Sequence, residues 1–420
     1  MRLPARRHHL RAAAQLGVLA VTAVVSAVAV LVAAQRAALA QPGPPLQGSS
    51  WYVTLLPDGD DTNVVYVPGG VRLDPPRPWP ATLQGGPPQG MLLTEVHWLA
   101  QPAGQVAAEL SAEQPAGSVV AIDVRGLRGD GSWTEWVPVP ATAPAVLDAA
   151  VGAVQARLVL TAGSAGATPV VRSVRLITQP AAARTLAAPQ REPRSYRVFA
   201  TREGLVGATT ANGHVIRDRD HFVALPSRRA LAPRGSGDYT VKICAANGRC
   251  EWAPVWDVGP WNTTDDYWNP AADRQAWQDL PQGMPQAQAA YHDDYHDGVD
   301  QFGREVLNPA GIDLADGTFW DGLGLRHNSW VTVTYLWTRP GSPADVRIPL
   351  LPVRSGPGEQ YPAVGLAVRG AKLIVECAAT GRPVTGGAGA SDRWLRIGPG
   401  QFVPAAHVGF PAAAPRCTTP

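Results

Sequence analysis

Residues 253–261 read Ala-Pro-Val-Trp-Asp-Val-Gly-Pro-Trp, and this stretch is the most informative one for the fold. It is an apolar run that ends in a carboxylate, Asp257, followed by the turn dipeptide Gly259-Pro260. Short β-branched runs between turn dipeptides recur along the chain, whereas helical patterning is scarce beyond the first 40 residues. The sequence therefore predicts an all-β protein, and its length is enough for two or three domains after the first 40 residues.

The sequence around Asp257 contains further motifs in a fixed order. They are Thr-Thr-Ala-Asn-Gly at 209–213, His221 ahead of Leu225-Pro226, a β-hairpin around 239–255, Gly-Ile-Asp-Leu-Ala at 311–315 and a Val-rich strand at 330–336. Over its whole length this segment resembles the rare-lipoprotein-A and expansin proteins. The resemblance implies a double-psi β-barrel over residues 195–338 with a cleft that acts on cell-wall glycan.

Two carboxylates are candidate catalytic acids. Cleavage of a glycosidic bond needs a group that protonates the leaving oxygen. By resemblance, Asp257 occupies the position of the rare-lipoprotein-A catalytic Asp, and Asp313 matches an Asp of expansins and family-45 endoglucanases. The alternatives are a turn carboxylate that binds the amides of Val258 and Gly259, and a helix N-cap at Asp313.

His221 is a third catalytic candidate by the same resemblance, but the segment departs from the family pattern around it. His221 stands four residues before Leu225, where the family has three, and Val258 replaces an Arg. These departures weaken the catalytic set and leave the cleft, so that non-catalytic binding is slightly favoured over catalysis.

A long insertion separates Asp257 from Asp313 and is rich in aromatic and acidic residues. Trp261, Tyr267 and Trp268 alternate there with carboxylates, which predicts a saccharide-stacking rim; a loop that packs its own aromatics is the alternative. Asn212 of the Thr-Ala-Asn-Gly turn is assigned to substrate binding with them.

The insertion also contains His292 and His296, four residues apart as in a helical zinc pair. Asp293, not Glu, follows the first His, and Gly298 indicates that any helix ends nearby. A calcium loop is a second possibility, and a solvated polar segment is favoured. No metal site and no cofactor are therefore assigned.

Residues 50–178 show alternating strands, for example 118–125 and 154–160, which predict a β-sandwich. The Gly-Ser-Trp-Thr-Glu-Trp turn at 131–136 and the strand after it resemble galactose-binding-like, discoidin-like sandwiches. Trp133 and Trp136 either stack on a sugar or fill the core, and the core is favoured.

Residues 346–417 resemble a bacterial Src-homology-3 type domain, through the Val-Arg-Ser-Gly-Pro-Gly entry at 353–358, the Trp394 strand and the Gly-Gln-Phe-Val exit at 400–403. Such domains bind peptidoglycan peptides or only pack against a neighbouring domain. Linkers are expected at 41–49, 179–194 and 339–345.

The N-terminus has the layout of an export signal. An almost uncharged apolar run at 16–34 follows four arginines, and Ala38-Leu39-Ala40 supplies small residues for cleavage. We predict a signal peptide over 1–40, with an uncleaved membrane anchor as the alternative. The protein is then secreted or associated with the cell envelope.

Four cysteines, all downstream of the signal, suit an oxidising compartment. Cys244 and Cys250 flank an Asn-Gly hairpin turn that a disulfide would close. Cys377 and Cys417 would then pin the C-terminus onto its domain. Four cysteines allow three pairings, and this one joins the cysteines that are nearest to each other in the sequence.

Charge and composition limit the partners. With 36 basic and 34 acidic residues the net charge is +2, so that nucleic acid is not expected. The expected partner is cell-wall glycan or peptidoglycan. Binding is slightly favoured; a lytic transglycosylase or glycoside hydrolase with Asp257 as general acid, and a structural envelope scaffold, are the alternatives.

Overall fold

The protein is described from a computed structural model that covers residues 49–74, 87–163, 166–180, 192–387, 389–410 and 413–418. Over these residues the chain is all-β, which confirms the predicted fold class. The predicted signal at 1–40 lies outside them. In the described part of the chain, no helix is long and apolar enough to cross a bilayer.

Nine strands form the first sheet system. They are β1 (Ser50–Tyr52), β2 (Val64–Val67), β3 (Gly70–Leu73), β4 (Gln89–Leu93), β5 (His97–Glu113), β6 (Val119–Leu127), β7 (Val137–Pro138), β8 (Ala145–Thr161) and β9 (Val170–Gln179). The main order is β2-β3-β9-β5-β8-β6-β7, with β1 on β9 and β4 on β8. Alternating Val, Leu and Ile side chains of β6, β8 and β9 form its core.

Six strands then close into a barrel. They are β10 (Arg194–Arg202), β11 (Val223–Leu225), β12 (Thr240–Ala245), β13 (Cys250–Val258), β14 (Ala310–Leu314) and β15 (Ser329–Tyr335). The order β11-β14-β10-β15-β12-β13 is closed by a β11–β13 pairing. The β10–β14 and β11–β13 pairs are parallel and the other barrel pairs are antiparallel.

The C-terminal region, from residue 342 onward, continues the barrel sheet. Its strands are β16 (Ser342–Val346), β17 (Leu350–Arg354), β18 (Ala363–Val368), β19 (Lys372–Val375), β20 (Cys377–Gly386), β21 (Gly389–Gly398), β22 (Gln401–Pro404) and β23 (Val408–Gly409). Strand β18 pairs parallel with β13, and β19, β16 and β23 form a separate sheet. Because β16 begins at Ser342, most of the expected 339–345 linker is sheet.

One α-helix, α1 (Gln286–Asp293), is seen in the described residues, and it lies in the insertion between β13 and β14. Short helical turns occur at Arg228–Ala230, Gly317–Gly322, Leu336–Thr338 and Ala405–His407. The helix ends before His296, whose φ is +54°, so that His292 and His296 do not share a helical face.

The nine-stranded region of residues 50–179, which the sequence predicts as a β-sandwich and which is called the sandwich below, shares a buried interface with the barrel. The Trp136 indole Nε1 donates to the Leu231 carbonyl at 3.0 Å, and the Tyr239 hydroxyl donates to the Thr134 carbonyl at 2.7 Å. Trp136 is 1% exposed and Trp133 is 8% exposed, with the Arg125 guanidinium over both rings. The two tryptophans therefore fill the interface and are not a sugar platform.

Both predicted disulfides are confirmed. Cys244 and Cys250 are directly paired across the β12–β13 hairpin, and Cys377 is bonded to Cys417 near the C-terminus. Disulfides of this kind suit an oxidising, extracellular environment.

Candidate functional site

A cleft of about 1010 Å³ lies on the outer side of the barrel. The ends of the barrel strands form its floor, the insertion forms one wall, and the sandwich forms the opposite wall through Asn63 and the 87–91 segment. The cleft is thus built by two of the three regions of the fold. No single one of them encloses it.

Four neighbouring strands place one row of residues on the cleft floor. Thr201 on β10 pairs with Asp313 on β14, Asp313 pairs with Ala224 on β11, and Ala224 pairs with Asp257 on β13. Ala200, Val223 and Ile312, the strand neighbours of Thr201, Ala224 and Asp313, are buried in the core, so the row faces outward. A bulge in β13 between Val255 and Asp257 brings Asp257 into register with the row. Asp257 and Asp313 are separated by one alanine and two strand spacings, or about 10 Å between Cα atoms.

Asp257 is held by backbone amides. Its Oδ1 accepts hydrogen bonds from the Ala211 N–H at 2.7 Å and from the Val258 N–H at 2.8 Å. The Gly259 N–H, the other expected turn donor, instead donates to the Leu225 carbonyl at 3.0 Å. Burial raises the pKa of Asp257, and the hydrogen bonds and the nearby Arg228 charge oppose that rise.

Asn212 is fully buried and organises the loop that reaches Asp257, which corrects its expected contact with substrate. Its Oδ1 accepts from the Thr210 hydroxyl and the His214 N–H, and its Nδ2 donates to the Ala232 carbonyl. These bonds position the neighbouring Ala211 amide. The Thr-Ala-Asn-Gly motif therefore acts on Asp257 through the backbone.

Asp313 lies within strand β14, so the helix-cap interpretation of this residue is wrong. The Thr201 hydroxyl donates to its Oδ1. Burial raises the pKa of Asp313 to about 7, and the neighbouring Asp257 charge adds to that rise. Asp313 therefore holds a proton through much of the acidic and neutral range.

Glu203 is a third carboxyl group of the site, and the sequence-based assignment missed it. It follows β10, and neither of its enclosed oxygens accepts a hydrogen bond from a donor in the described protein. Burial, and then the charges of Asp257 and Asp313, raise the pKa of Glu203 well above its usual range. The signal in the sequence that could have identified Glu203 is a carboxylate placed directly after a strand and before Gly204.

Glu203 lies beside Asp257, where one proton on the pair would allow a hydrogen bond between the two carboxyl groups. Two ionised carboxylates have no proton to share, so that this bond requires one proton on the pair. Asp257 already accepts two amide bonds, whereas Glu203 accepts none. The proton therefore resides on Glu203, which donates to Asp257.

Arg228 lines the cleft from the turn after β11. One of its N–H groups donates to the Gln89 side-chain oxygen of β4, and it forms no ion pair with a carboxylate of the described residues. Burial lowers the pKa of Arg228 to about 10, and the group stays charged at neutral pH. Arg202 and Arg304, which also line the cleft, are paired with Asp316 and Asp300.

Of the three aromatics expected at a sugar-binding rim, only Trp261 lines the cleft. Its Nε1 donates to Asn308 at 3.2 Å, and its carbonyl accepts from Arg304 at 2.6 Å. Its φ of +60° is unusual for a residue with a bulky side chain. Two contacts from the insertion therefore hold an indole ring beside the floor.

Tyr267 and Trp268 are fully buried, which corrects their assignment to the rim. The Tyr335 hydroxyl donates to the Tyr267 hydroxyl at 2.7 Å, and the Trp268 Nε1 donates to Glu135 of the sandwich at 2.7 Å. The insertion folds these aromatics into the core because the adjacent sheets supply apolar surface and hydrogen-bond acceptors. The packing alternative was the right one.

His221 is outside the cleft. Its Nδ1 lies 3.2 Å from both oxygens of Glu251, a fully buried residue that also accepts from the Thr318 hydroxyl at 2.8 Å. Glu251 stands at the start of β13 and Asp257 near its end, about 20 Å away along an extended strand. The catalytic assignment of His221 therefore has no support in this geometry.

The fold and the cleft define an all-β protein whose closed barrel carries three carboxyl groups opposite a neighbouring sandwich. Residues 194–334, from the first to the last barrel strand, match a family model described as a domain of unknown function, DUF8814. No curated protein matches the chain.

Proposed function

We propose that this protein is an exported enzyme of the cell envelope that binds a glycan strand in the cleft and cleaves it by acid–base catalysis. The observation that carries the proposal is the pair of carboxyl groups that the strand pairing places on one cleft floor with different hydrogen-bond partners. Asp313 keeps its proton to about pH 7, whereas two amides and Arg228 favour the ionised form of Asp257.

The chemistry follows from that difference. Asp313 protonates the leaving glycosidic oxygen, and the Asp257 carboxylate stabilises the developing positive charge or activates a nucleophile. This assigns the acid role to Asp313, where the resemblance implied Asp257. The separation of about 10 Å between their Cα atoms leaves room for a sugar ring above Ala224.

Glu203 supports the site but does not itself protonate the substrate. As the protonated partner of Asp257, it orients that carboxylate and keeps a second negative charge from building up beside it. The Trp261 ring offers an apolar face to a pyranose, and the amides of Asn63 and Asn308 offer hydrogen bonds to hydroxyl groups.

The test is incubation of the purified chain with peptidoglycan sacculi and mass analysis of soluble products. We expect wild type to release fragments and Asp313→Asn and Asp257→Asn to lose at least about a hundredfold in rate, as expected for a removed general acid or base. Asp218→Asn, an exposed carboxylate outside the cleft, is the matched control. Release by both cleft variants at the wild-type rate would contradict the proposal.

A non-catalytic, expansin-type binder is the second candidate, favoured by the aromatic and amide lining of the cleft around Trp261. For this candidate, the Asp257→Asn and Asp313→Asn variants would still bind to insoluble wall polymer. The Trp261→Ala variant would lose this binding. No fragments would form in any of these incubations.

A further inference from the structure

Arg228 is the one cation on the cleft that the described residues leave without a carboxylate partner. The other two arginines of the lining are neutralised by Asp316 and Asp300. Arg228 is half-buried, and a guanidinium that is partly withdrawn from water gains from a carboxylate partner. Its position in a substrate cleft therefore points to a partner that arrives with the ligand.

The sandwich holds Arg228 in place. Gln89 of β4 accepts one of the five guanidinium N–H groups and donates through its Nε2 to Thr161 at 3.2 Å, so that the amide is itself oriented. The remaining donors of Arg228 have no acceptor in the described protein and are not among its enclosed polar atoms. They are available to a ligand in the cleft.

We propose that Arg228 and Gln89 form a subsite for a carboxylate on the glycan, so that the substrate is an acidic polysaccharide. This rests on the proposed function, because it names the sugar class that the same cleft takes. A singly charged carboxylate balances one guanidinium and matches its planar donors. A doubly charged phosphate would meet uncompensated repulsion from Asp257.

The probes are peptide-free glycan strands from peptidoglycan, which carry a lactyl carboxylate on alternate sugars, and the same strands after reduction of the carboxylates to alcohols. Affinities are measured by calorimetry in an Asp313→Asn background, which keeps the strands intact. We expect the carboxylate form to bind at least about tenfold more tightly, or about 1.4 kcal/mol.

Two variants, one in the barrel and one in the sandwich, test the subsite. Arg228→Gln should abolish the preference and leave the affinity for reduced strands unchanged. Gln89→Glu, which adds only a charge, should neutralise Arg228 from the sandwich and abolish the preference as well. Arg217→Gln, which removes an exposed arginine outside the cleft, should retain it.

Equal affinity for both strand forms, or a preference that survives Arg228→Gln and Gln89→Glu, would overturn the subsite. If Arg228 served only to tune Asp257, the pH profile of cleavage would shift and the affinity ratio would not. A preference without any cleavage by wild type would contradict the proposed function and keep the subsite. Cleavage of both strand forms, bound with equal affinity, would contradict the subsite and keep the proposed function.

Discussion

Glu203 lies beside Asp257 on the cleft floor, and burial together with the Asp257 charge raises the pKa of Glu203 well above its usual range. Glu203 receives no hydrogen bond from the described protein, while Asp257 accepts two from backbone amides. This asymmetry assigns the proton to Glu203 and the negative charge to Asp257. Four properties of this site and of the fold that holds it can be measured.

The first concerns the pH dependence of cleavage. Asp313 must be protonated to act as the acid, and its pKa is about 7. We expect kcat to fall as pH rises through about 7, by about tenfold per pH unit beyond it. Rates on sacculi between pH 5 and pH 9 would show this. A flat profile to pH 9 would exclude Asp313 as the acid.

The second concerns the role of Glu203. A neutral Glu203 that donates to Asp257 can be replaced by an amide, whose N–H also donates. We expect Glu203→Gln to keep at least about a tenth of the wild-type rate, and Glu203→Ala to lose more because Asp257 then lacks its partner. Equal losses in both variants would instead indicate that Glu203 delivers a proton.

The third concerns stability. The folded-state pKa of Asp313 is above its unfolded value, so the folded protein binds the proton more tightly. The stabilisation of the folded state by this tighter proton binding is present at about pH 4 and is lost as pH rises to about 7. Asp313→Asn keeps the acceptor for Thr201 and removes the charge.

We therefore expect Asp313→Asn to be more stable than wild type at pH 8, by about 1–3 kcal/mol, and not at pH 4. Urea unfolding at the two pH values measures this difference. An equal effect at both would show that burial of the Asp313 charge is not its cause.

The fourth concerns the junction of the three regions. Asp238 of the barrel pairs with Arg125 of the sandwich at 2.8 Å and with Lys372 of the C-terminal region. Arg125 and Asp238 are almost fully buried, and the two cations keep the pKa of Asp238 below its usual value despite burial.

Asp238→Ala leaves the buried Arg125 charge without its partner and should cost about 3–5 kcal/mol in unfolding free energy. Asp148→Ala, which breaks the more exposed Arg128 pair at 2.5 Å, should cost under about 1 kcal/mol. Denaturant unfolding compares the two variants. Equal costs would mean that the junction does not depend on this ion pair.

Local pattern was sufficient for much of the fold. Period-2 alternation and turn dipeptides predicted the all-β class, and the Asn-Gly turn between Cys244 and Cys250 predicted their disulfide, because these signals act between neighbours in the chain. Asp257 and Asp313 were selected by resemblance. The structure brings both to one cleft floor.

The residues that were misassigned depend on long-range packing. Tyr267 and Trp268 lie in a polar loop sequence, and their burial results from contacts with Tyr335 and with Glu135 of the sandwich, both distant in the chain. His221 was selected by resemblance although its spacing departs from the family pattern, and its partner Glu251 lies on another strand. The separation of these residues along the sequence does not indicate that they contact each other in the fold.

The sequence by itself therefore determined the β class and the hairpin disulfide, because each is encoded in a short stretch. Two of the cleft acids were identified from the resemblance of residues 195–338 to a known family. Only the tertiary structure decided what those acids can do. The closure of β11 on β13 sets Ala224 between Asp257 and Asp313, and packing encloses Glu203 beside them. Proton affinity in a cleft depends on which groups surround a carboxyl, and that is a property of the fold.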